Sequence, residues 1–225
     1  KEIESGKLTS PESSAALAVN TFGWFVHRPG LLPILPGLGH IGSAIEVDVE
    51  YCARFPWPGG RHPWLDALVE TPTHLVGVES KRYEPYRDRK RVSLSAAYDR
   101  PKWGNMMQPF ERMRDRLRSG EISFTYLDAT QLVKHAFGLV TDARRRARKP
   151  ALLYLYAEPR RLRGGEIRST IFGQHRVEVA RFASEVSGAE VAFASASYRE
   201  WLDQWSASSP HVAAHAQAIV EQFDP

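Results

Sequence analysis

The feature of this chain that most constrains its fold is the apolar run at residues 151–157, which reads Ala-Leu-Leu-Tyr-Leu-Tyr-Ala. Its apolar side chains are continuous and do not alternate with polar ones, a pattern typical of a strand that is covered on both faces. The run is much shorter than the roughly 20 apolar residues that a membrane helix needs. We therefore expect a central strand with helices packed on each side, which places the chain in the mixed α/β class.

The rest of the chain supplies the other layers of such a fold. Apolar periodicity, capping residues and Pro or Gly breaks predict helices at residues 10–25, 109–119, 128–148, 176–186, 198–205 and from 210, and strands at residues 45–55, 64–69, 75–81 and 190–196. Ser10 is the expected N-cap of the first helix and Pro11 its expected first residue. No repeat or low-complexity linker interrupts this order, so we expect one domain over residues 10–225, preceded by a flexible lead-in at residues 1–9.

The charge of the chain favours an acidic partner. The sequence has 30 Lys and Arg against 26 Asp and Glu, a formal net charge of +4. Its basic residues concentrate at 82–91, 112–118, 144–149 and 160–163. Most of them are arginines, whose planar guanidinium suits phosphate recognition. A nucleic acid is therefore the expected partner, while the solvated side of a helix is an alternative explanation for segment 112–118.

Other classes of protein are disfavoured by composition. Cys52 is the single cysteine, which excludes a disulfide or a cysteine-based zinc site within one chain. No apolar run is long enough to span a membrane, so no membrane partner is expected. The sequence opens with polar residues of mixed charge and without the pattern of a signal peptide. We therefore expect a cytoplasmic protein.

An acid and an amine stand side by side at the end of the predicted strand 75–81. Alternate side chains of a strand share a face, so Glu79 and Lys81 lie on the same side. Asp66 belongs to the preceding strand, and antiparallel pairing across the short connecting turn would bring it close to Glu79. Two converging carboxylates repel each other, and a divalent cation relieves that repulsion. Oxygen ligands without cysteine or paired histidine favour Mg²⁺, with Mn²⁺ as a substitute.

A structural interpretation of the same residues stays open at this point. Glu-x-Lys triplets arise by chance in many proteins. Glu79 and Lys81 would then form a surface ion pair, which contributes little to stability. Asp66 would only cap a turn, and the chain would be a structural or partner-binding α/β protein.

The motif and its setting resemble those of a known family. Asp66 followed by Glu79-Ser80-Lys81 resembles the D…ExK signature of the PD-(D/E)XK, or restriction-endonuclease-like, nuclease superfamily. The predicted order of elements is similar to the αβββαβ core of that family, in which helices flank a central mixed sheet. Residues 75–86, LVGVESKRYEPY, look most like a bacterial branch of restriction endonucleases. The proline that usually precedes the first Asp is absent, since the nearest one is Pro63.

The resemblance implies an activity and roles for the residues of the signature. The activity would be Mg²⁺-dependent hydrolysis of phosphodiester bonds in DNA, with RNA as an alternative substrate and a homodimer as one assembly. Asp66 and Glu79 would hold the metal, and the carbonyl of Ser80 would add a main-chain ligand. Lys81 would orient the attacking water and stabilise charge on the phosphate.

Three further residues are assigned by the resemblance alone. The family often adds an acid from its first helix, and Glu12 is the candidate for that metal ligand. It also often places a glutamine or lysine on the helix after the third strand, where Gln131 and Lys134 lie at i and i+3 on one face. A non-catalytic binding module on a degenerate form of the same fold is the alternative function.

Overall fold

The computed structural model describes residues 12–58, 61–162 and 164–225. Its helices are α1 (Ser14–Gly23), α2 (Glu84–Arg87), α3 (Gln108–Ser119), α4 (Ala129–Arg145), α5 (Ser169–Glu185), α6 (Tyr198–Gln204) and α7 (Pro210–Phe223). Its strands are β1 (Glu46–Cys52), β2 (Trp64–Glu70), β3 (His74–Lys81), β4 (Lys149–Tyr156), β5 (Arg161–Leu162), β6 (Gly165–Glu166) and β7 (Ala192–Ser197). The lead-in predicted at residues 1–9, Ser10 and Pro11 lie outside the described residues.

Five strands form one mixed sheet in the order β1-β2-β3-β4-β7. The first three strands pair antiparallel, and β3, β4 and β7 pair parallel. β4, which contains the apolar run, therefore lies between two parallel neighbours, as its continuous apolar pattern predicts. The predicted fold class, a mixed sheet flanked by helices in the order αβββαβ, is confirmed.

Each face of the sheet carries its own hydrophobic core. On one face α3, α4 and α5 pack against the strands, with Phe110 and Phe137 among their fully buried side chains. On the other face α1, α6 and α7 pack through residues that include Phe22 and Trp201. Within the parts of the chain that the structure describes, no helix combines the length and the apolar character that crossing a membrane requires.

Close packing of α4 on β3 depends on glycine. A Cβ added at Gly77 would stand 2.8 Å from Leu65 Cδ1 and 3.2 Å from Leu139 Cδ2. Gly138 of α4 is equally constrained, since a Cβ there would stand 2.7 Å from Pro63 Cγ and 3.0 Å from Ala53 Cβ. The helix can therefore approach the strand more closely than a larger residue would permit. His135 precedes Leu139 by about one helical turn, which brings it over the carboxyl end of β3.

Two helix starts differ from their prediction. α1 begins at Ser14, not at residue 10, and the Ser13 hydroxyl accepts a hydrogen bond of 3.2 Å from the third helical N–H. α5 begins at Ser169, seven residues before the predicted start. The first six residues of α5 are exposed or half-exposed. These residues therefore show no periodic burial, and the first buried residue of the helix is His175.

Candidate active site

β3 and β2 stop pairing where the signature begins. The last residue pair in their ladder is Ala67 with Val78. Beyond it, the backbone N–H of Ser80 donates a hydrogen bond of 2.7 Å to Oδ2 of Asp66. A side-chain carboxylate has thus taken the place of a main-chain acceptor. This holds Asp66 directly beside the peptide that joins Glu79 to Ser80.

Glu79 is the most deeply buried acid of the site, with a side chain only 1% exposed. The ammonium of Lys81 contacts its Oε1 atom, and Nε2 of His135 lies 2.8 Å from Oε2. Both carboxylate oxygens are buried, so these two contacts take the place of water around the charge. The charge of Glu79 is therefore balanced by the ammonium of Lys81 and the imidazole of His135.

Charge interactions separate the pKa values of the two acids. Burial and the nearby Glu79 carboxylate raise the pKa of Asp66 to about 8. Burial also acts to raise the pKa of Glu79, but Lys81 and His135 outweigh it and lower that pKa to about 2. Burial acts to lower the pKa of Lys81, and the carboxylates of Glu79 and Asp66 overcome it and raise that pKa. The lysine is therefore held as an ammonium beside an ionised Glu79.

Ser80 points to the opposite face of the sheet. Its hydroxyl lies 2.7 Å from the Tyr198 hydroxyl, and it donates a longer hydrogen bond of 3.4 Å to the carbonyl of Ser14. These contacts tie the end of β3 to α6 and α1. The side chain of Ser80 therefore anchors the strand, and its N–H positions Asp66.

Glu84 is a third acid near the site that the sequence did not single out. Its Oε2 atom accepts a hydrogen bond of 2.9 Å from the N–H of Arg82, and its Oε1 atom accepts one of 2.6 Å from Ser14 Oγ. It lies within electrostatic range of Asp66 and Lys81. Glu84 opens the short helix α2, in a stretch whose dense charges predict only irregular structure, so no sequence pattern marks it.

The helix predicted to contribute Gln131 and Lys134 does face the site, but through a different residue. His135, only 2% exposed, is the α4 residue that contacts Glu79. Gln131 and Lys134 are half-buried, and the N–H of Gln131 donates to the Asp128 carboxylate at the start of α4. Spacing was the sequence signal that could have identified His135, since this residue follows Gln131 by four positions and shares its helix face.

Two amines, Lys90 and Lys134, lie within electrostatic range of Asp128, the N-cap residue of α4. Lys90 donates a hydrogen bond to the carbonyl of Glu84 and lies within electrostatic range of Lys81 and Asp128. Lys134 is attracted to the same Asp128. Burial lowers the pKa of both Lys90 and Lys134. Lys90 therefore places a second amine within electrostatic range of Lys81 and Glu84.

Glu12, the predicted acid from the first helix, lies just before α1. It interacts electrostatically with Arg82 and Arg87. Among residues 12–58, 61–162 and 164–225, no group of three or more His, Cys, Asp or Glu side chains is arranged to hold a metal ion. The assignment of Glu12 to a metal site therefore stays a prediction.

A buried polar pair extends the site along the sheet. Tyr154 of β4 is the register partner of Glu79, and its hydroxyl lies 3.0 Å from Nε2 of His175 on α5. Burial, followed by the charges of Lys90 and Arg176, lowers the pKa of His175 to about 3. His175 is therefore neutral at physiological pH. Sequence patterns did not predict this pair, because it depends on how α5 packs across β4.

Comparison with protein-family models gives a match over most of the chain. A family model described as "Restriction Endonuclease associating with ARP" (REase-ARP) matches residues 3–219. No curated protein matches the chain, and no solved structure matches it. The match extends over nearly the whole sequence, so it includes both the strands that carry the signature and the helices on each face.

Proposed function

The chain belongs to the REase-ARP family of restriction endonucleases associating with ARP, and from this premise we propose that it is a metal-dependent nuclease. The membership confirms the predicted restriction-endonuclease-like character. The proposal adds that the centre is formed by Asp66, Glu79 and Lys81, on the pattern of the PD-(D/E)XK signature. The observation that carries it is the Ser80 N–H hydrogen bond to Asp66, which holds that acid beside Glu79 and Lys81.

The two acids fit a hard divalent cation. The pKa of Asp66 is raised to about 8 by burial and by the charge of Glu79, whereas Glu79 is already paired with Lys81 and His135. The raised pKa indicates that Lys81 does not offset these two effects at Asp66, where a bound cation would. Mg²⁺, or Mn²⁺ in its place, is the class of ion that prefers such ligands. Asp66, Glu79 and the Ser80 carbonyl would hold it, with Glu12 as a further ligand.

Bound there, the ion would lower the pKa of a coordinated water and act as a Lewis acid toward the phosphate. The residues of the chain have their own tasks. Lys81 is kept protonated by Glu79, so it serves as a hydrogen-bond donor and a positive charge, not as a base. It would orient the water and stabilise the negative charge that develops on the phosphate. Gln131 and Lys134 would contact the substrate from α4.

DNA is the proposed substrate, with RNA as the alternative. The support is electrostatic, because Lys81, Lys90 and Arg82 lie within electrostatic range of acids of the site. The proposed location is the cytoplasm. Cleavage of both strands of a duplex would be served by a homodimer, whose two-fold symmetry matches that of the substrate.

A plasmid assay tests the proposal. The parent chain should nick or linearise plasmid DNA with Mg²⁺ and lose this activity when the ion is chelated. Glu79→Gln and Lys81→Ala should each lower the rate by at least 100-fold, while the exposed Asp203→Asn on α6 should cut like the parent. Equal cleavage by all four proteins would exclude the assigned centre.

The non-catalytic binding module is the second candidate. The observation that favours it is the burial of Glu79, which is 1% exposed and already contacts Lys81 and His135. In that case the parent and the Glu79→Gln variant would bind DNA equally, and neither would cut it with Mg²⁺ or Mn²⁺.

A further inference from the structure

A cleft of about 410 Å³ opens beside the carboxyl ends of β3 and β4. Arg82, the residue after Lys81, lines it on the β3 side, and Arg160 and Arg161 line it on the β4 side. The two strand ends are joined by a hydrogen bond of 2.8 Å from the N–H of Ala157 to the carbonyl of Lys81. Ligands of parallel sheets bind at this edge, outside the carboxyl ends of the strands.

The charge in the cleft is predominantly positive. Its three arginines face two acids, Glu166 and Asp224. Asp224 is already paired with Arg199 at 2.6 Å. Arg160 and Arg161 are exposed, and neither forms an ion pair with any residue in the described parts of the chain. Two arginines with free donors thus stand at the surface of a concave site, which is the usual arrangement for binding an anion.

Arg82 adds a buried charge to this cleft. Its side chain is 4% exposed, and one of its nitrogens donates to the carbonyl of Phe223. The other two nitrogens, Nε and Nη1, are buried without a hydrogen-bond partner. The acids within electrostatic range are Glu12, Glu84 and Asp224. A buried guanidinium with unmet donors raises the positive potential of the cleft, because little water screens it.

We infer that this cleft is a phosphate-binding subsite for the nucleic-acid strand that the proposed centre cuts. The inference rests on the proposed function and adds a location and a chemical class of ligand to it. Arg160 and Arg161 donate to the phosphate oxygens, and Arg82 supplies the fixed charge beneath them. The volume lies within the range of about 300–1,000 Å³ that small-ligand sites occupy, which suits one nucleotide unit.

The cleft and the acids lie on different sides of the end of β3. Lys81 contacts Glu79 on the side of α4, whereas the guanidinium of Arg82 lies 5.2 Å from the ring centre of Phe223 on α7. Successive side chains of an extended segment point in opposite directions. A strand that crosses the end of β3 therefore meets both sites, so that the subsite holds a phosphate next to the one that is cut.

Binding of inorganic pyrophosphate, followed by calorimetry, tests the subsite without reference to cleavage. The variant is the double substitution Arg160→Gln and Arg161→Gln, which changes exposed side chains and leaves the core intact. The matched control is Arg112→Gln with Lys149→Gln, which removes the same charge from exposed positions on α3 and at the far end of β4. We expect the parent and the control to bind pyrophosphate alike, and the Arg160/Arg161 variant to bind at least tenfold more weakly. Equal binding by all three proteins would overturn the inference.

Oligonucleotides then identify the source of the phosphate. Fluorescence anisotropy with chelator present compares strands that carry a 5′-phosphate with strands that carry a 5′-hydroxyl. Loss of a preference for the 5′-phosphate in the Arg160/Arg161 variant would assign the cleft to a strand end. Equal weakening for both strands, with a smaller salt dependence, would assign it to an internal phosphate, since each lost contact in a duplex reduces the slope by about 0.9. If the parent chain binds pyrophosphate in the cleft but never cuts DNA, the subsite is supported and the proposed function is wrong.

Discussion

Nε2 of His135 lies 2.8 Å from Oε2 of Glu79, so a helix residue outside the signature contacts the most buried acid within it. The contact joins α4 to the end of β3. The acid that is central to the proposed chemistry is therefore held by a residue that the D…ExK pattern does not contain.

Replacing His135 by Ala should affect both the fold and the activity. The variant leaves one oxygen of a buried carboxylate without its neighbour, which costs about 1–3 kcal/mol. We expect a lower midpoint in urea denaturation and a fall in plasmid cleavage of at least tenfold. His211→Ala, an exposed substitution on α7, should change neither quantity. If the His135→Ala variant has the stability and the cleavage rate of the parent, the contact contributes to neither quantity.

Gly77→Ala tests the packing that positions the site. The added methyl group would overlap Leu65 Cδ1 at 2.8 Å, and overpacking of this kind costs about 1–3 kcal/mol. Gly173→Ala on α5 is the matched control, because a Cβ there meets nothing within 4 Å. That control should be neutral or stabilise the helix by up to about 1 kcal/mol. Thermal unfolding of both variants decides the point, and equal midpoints would contradict the close packing of Leu65 and Leu139 on Gly77.

His175 should make the protein less stable in mild acid. Its pKa in the folded chain is lowered to about 3, whereas an unfolded histidine titrates near pH 6.5. At this residue the unfolded chain therefore binds more protons below that pH, which contributes a loss of stability on acidification of up to about 1.4 kcal/mol per pH unit. Asp66, whose folded pKa of about 8 lies above its unfolded value, contributes in the opposite direction. The effect of His175 is therefore the difference in slope between the parent and a variant that lacks this histidine. Urea denaturation between about pH 7 and pH 5 measures this slope.

His175→Gln is the variant that isolates this effect. Glutamine keeps an acceptor for the Tyr154 hydroxyl and does not titrate, so the slope should become smaller in proportion to one lost proton. His211→Gln should retain the slope of the parent. If the parent and His175→Gln lose stability equally on acidification, His175 is not the group responsible.

The sequence predicted the layers of this fold because burial patterns determine them. The continuous apolar run at residues 151–157 predicted a strand covered on both faces, and β4 has that position in the sheet. Alternation along residues 75–81 predicted that Glu79 and Lys81 share a face, and the two side chains are in contact. These features need only local periodicity, which a single sequence contains.

The contacts of the site were less predictable because they depend on tertiary packing. The contact between His135 and Glu79 depends on how closely α4 packs against the sheet. Glu84 lies near Asp66 because the four-residue helix α2 follows β3. Neither arrangement has a periodic signal. The early start of α5 was not predicted for a related reason. Its first turns are solvated, so the sequence shows no packed face before the buried His175.

Titration of the chain with Mn²⁺ in a calorimeter tests the central claim most directly. The claim is that Asp66 and Glu79 together hold a hard cation at the end of β3. The account predicts saturable binding of Mn²⁺ by the parent chain that is lost in Asp66→Asn and in Glu79→Gln and kept in Asp203→Asn. Absence of binding by the parent, or binding that survives both substitutions of the acids, would contradict it.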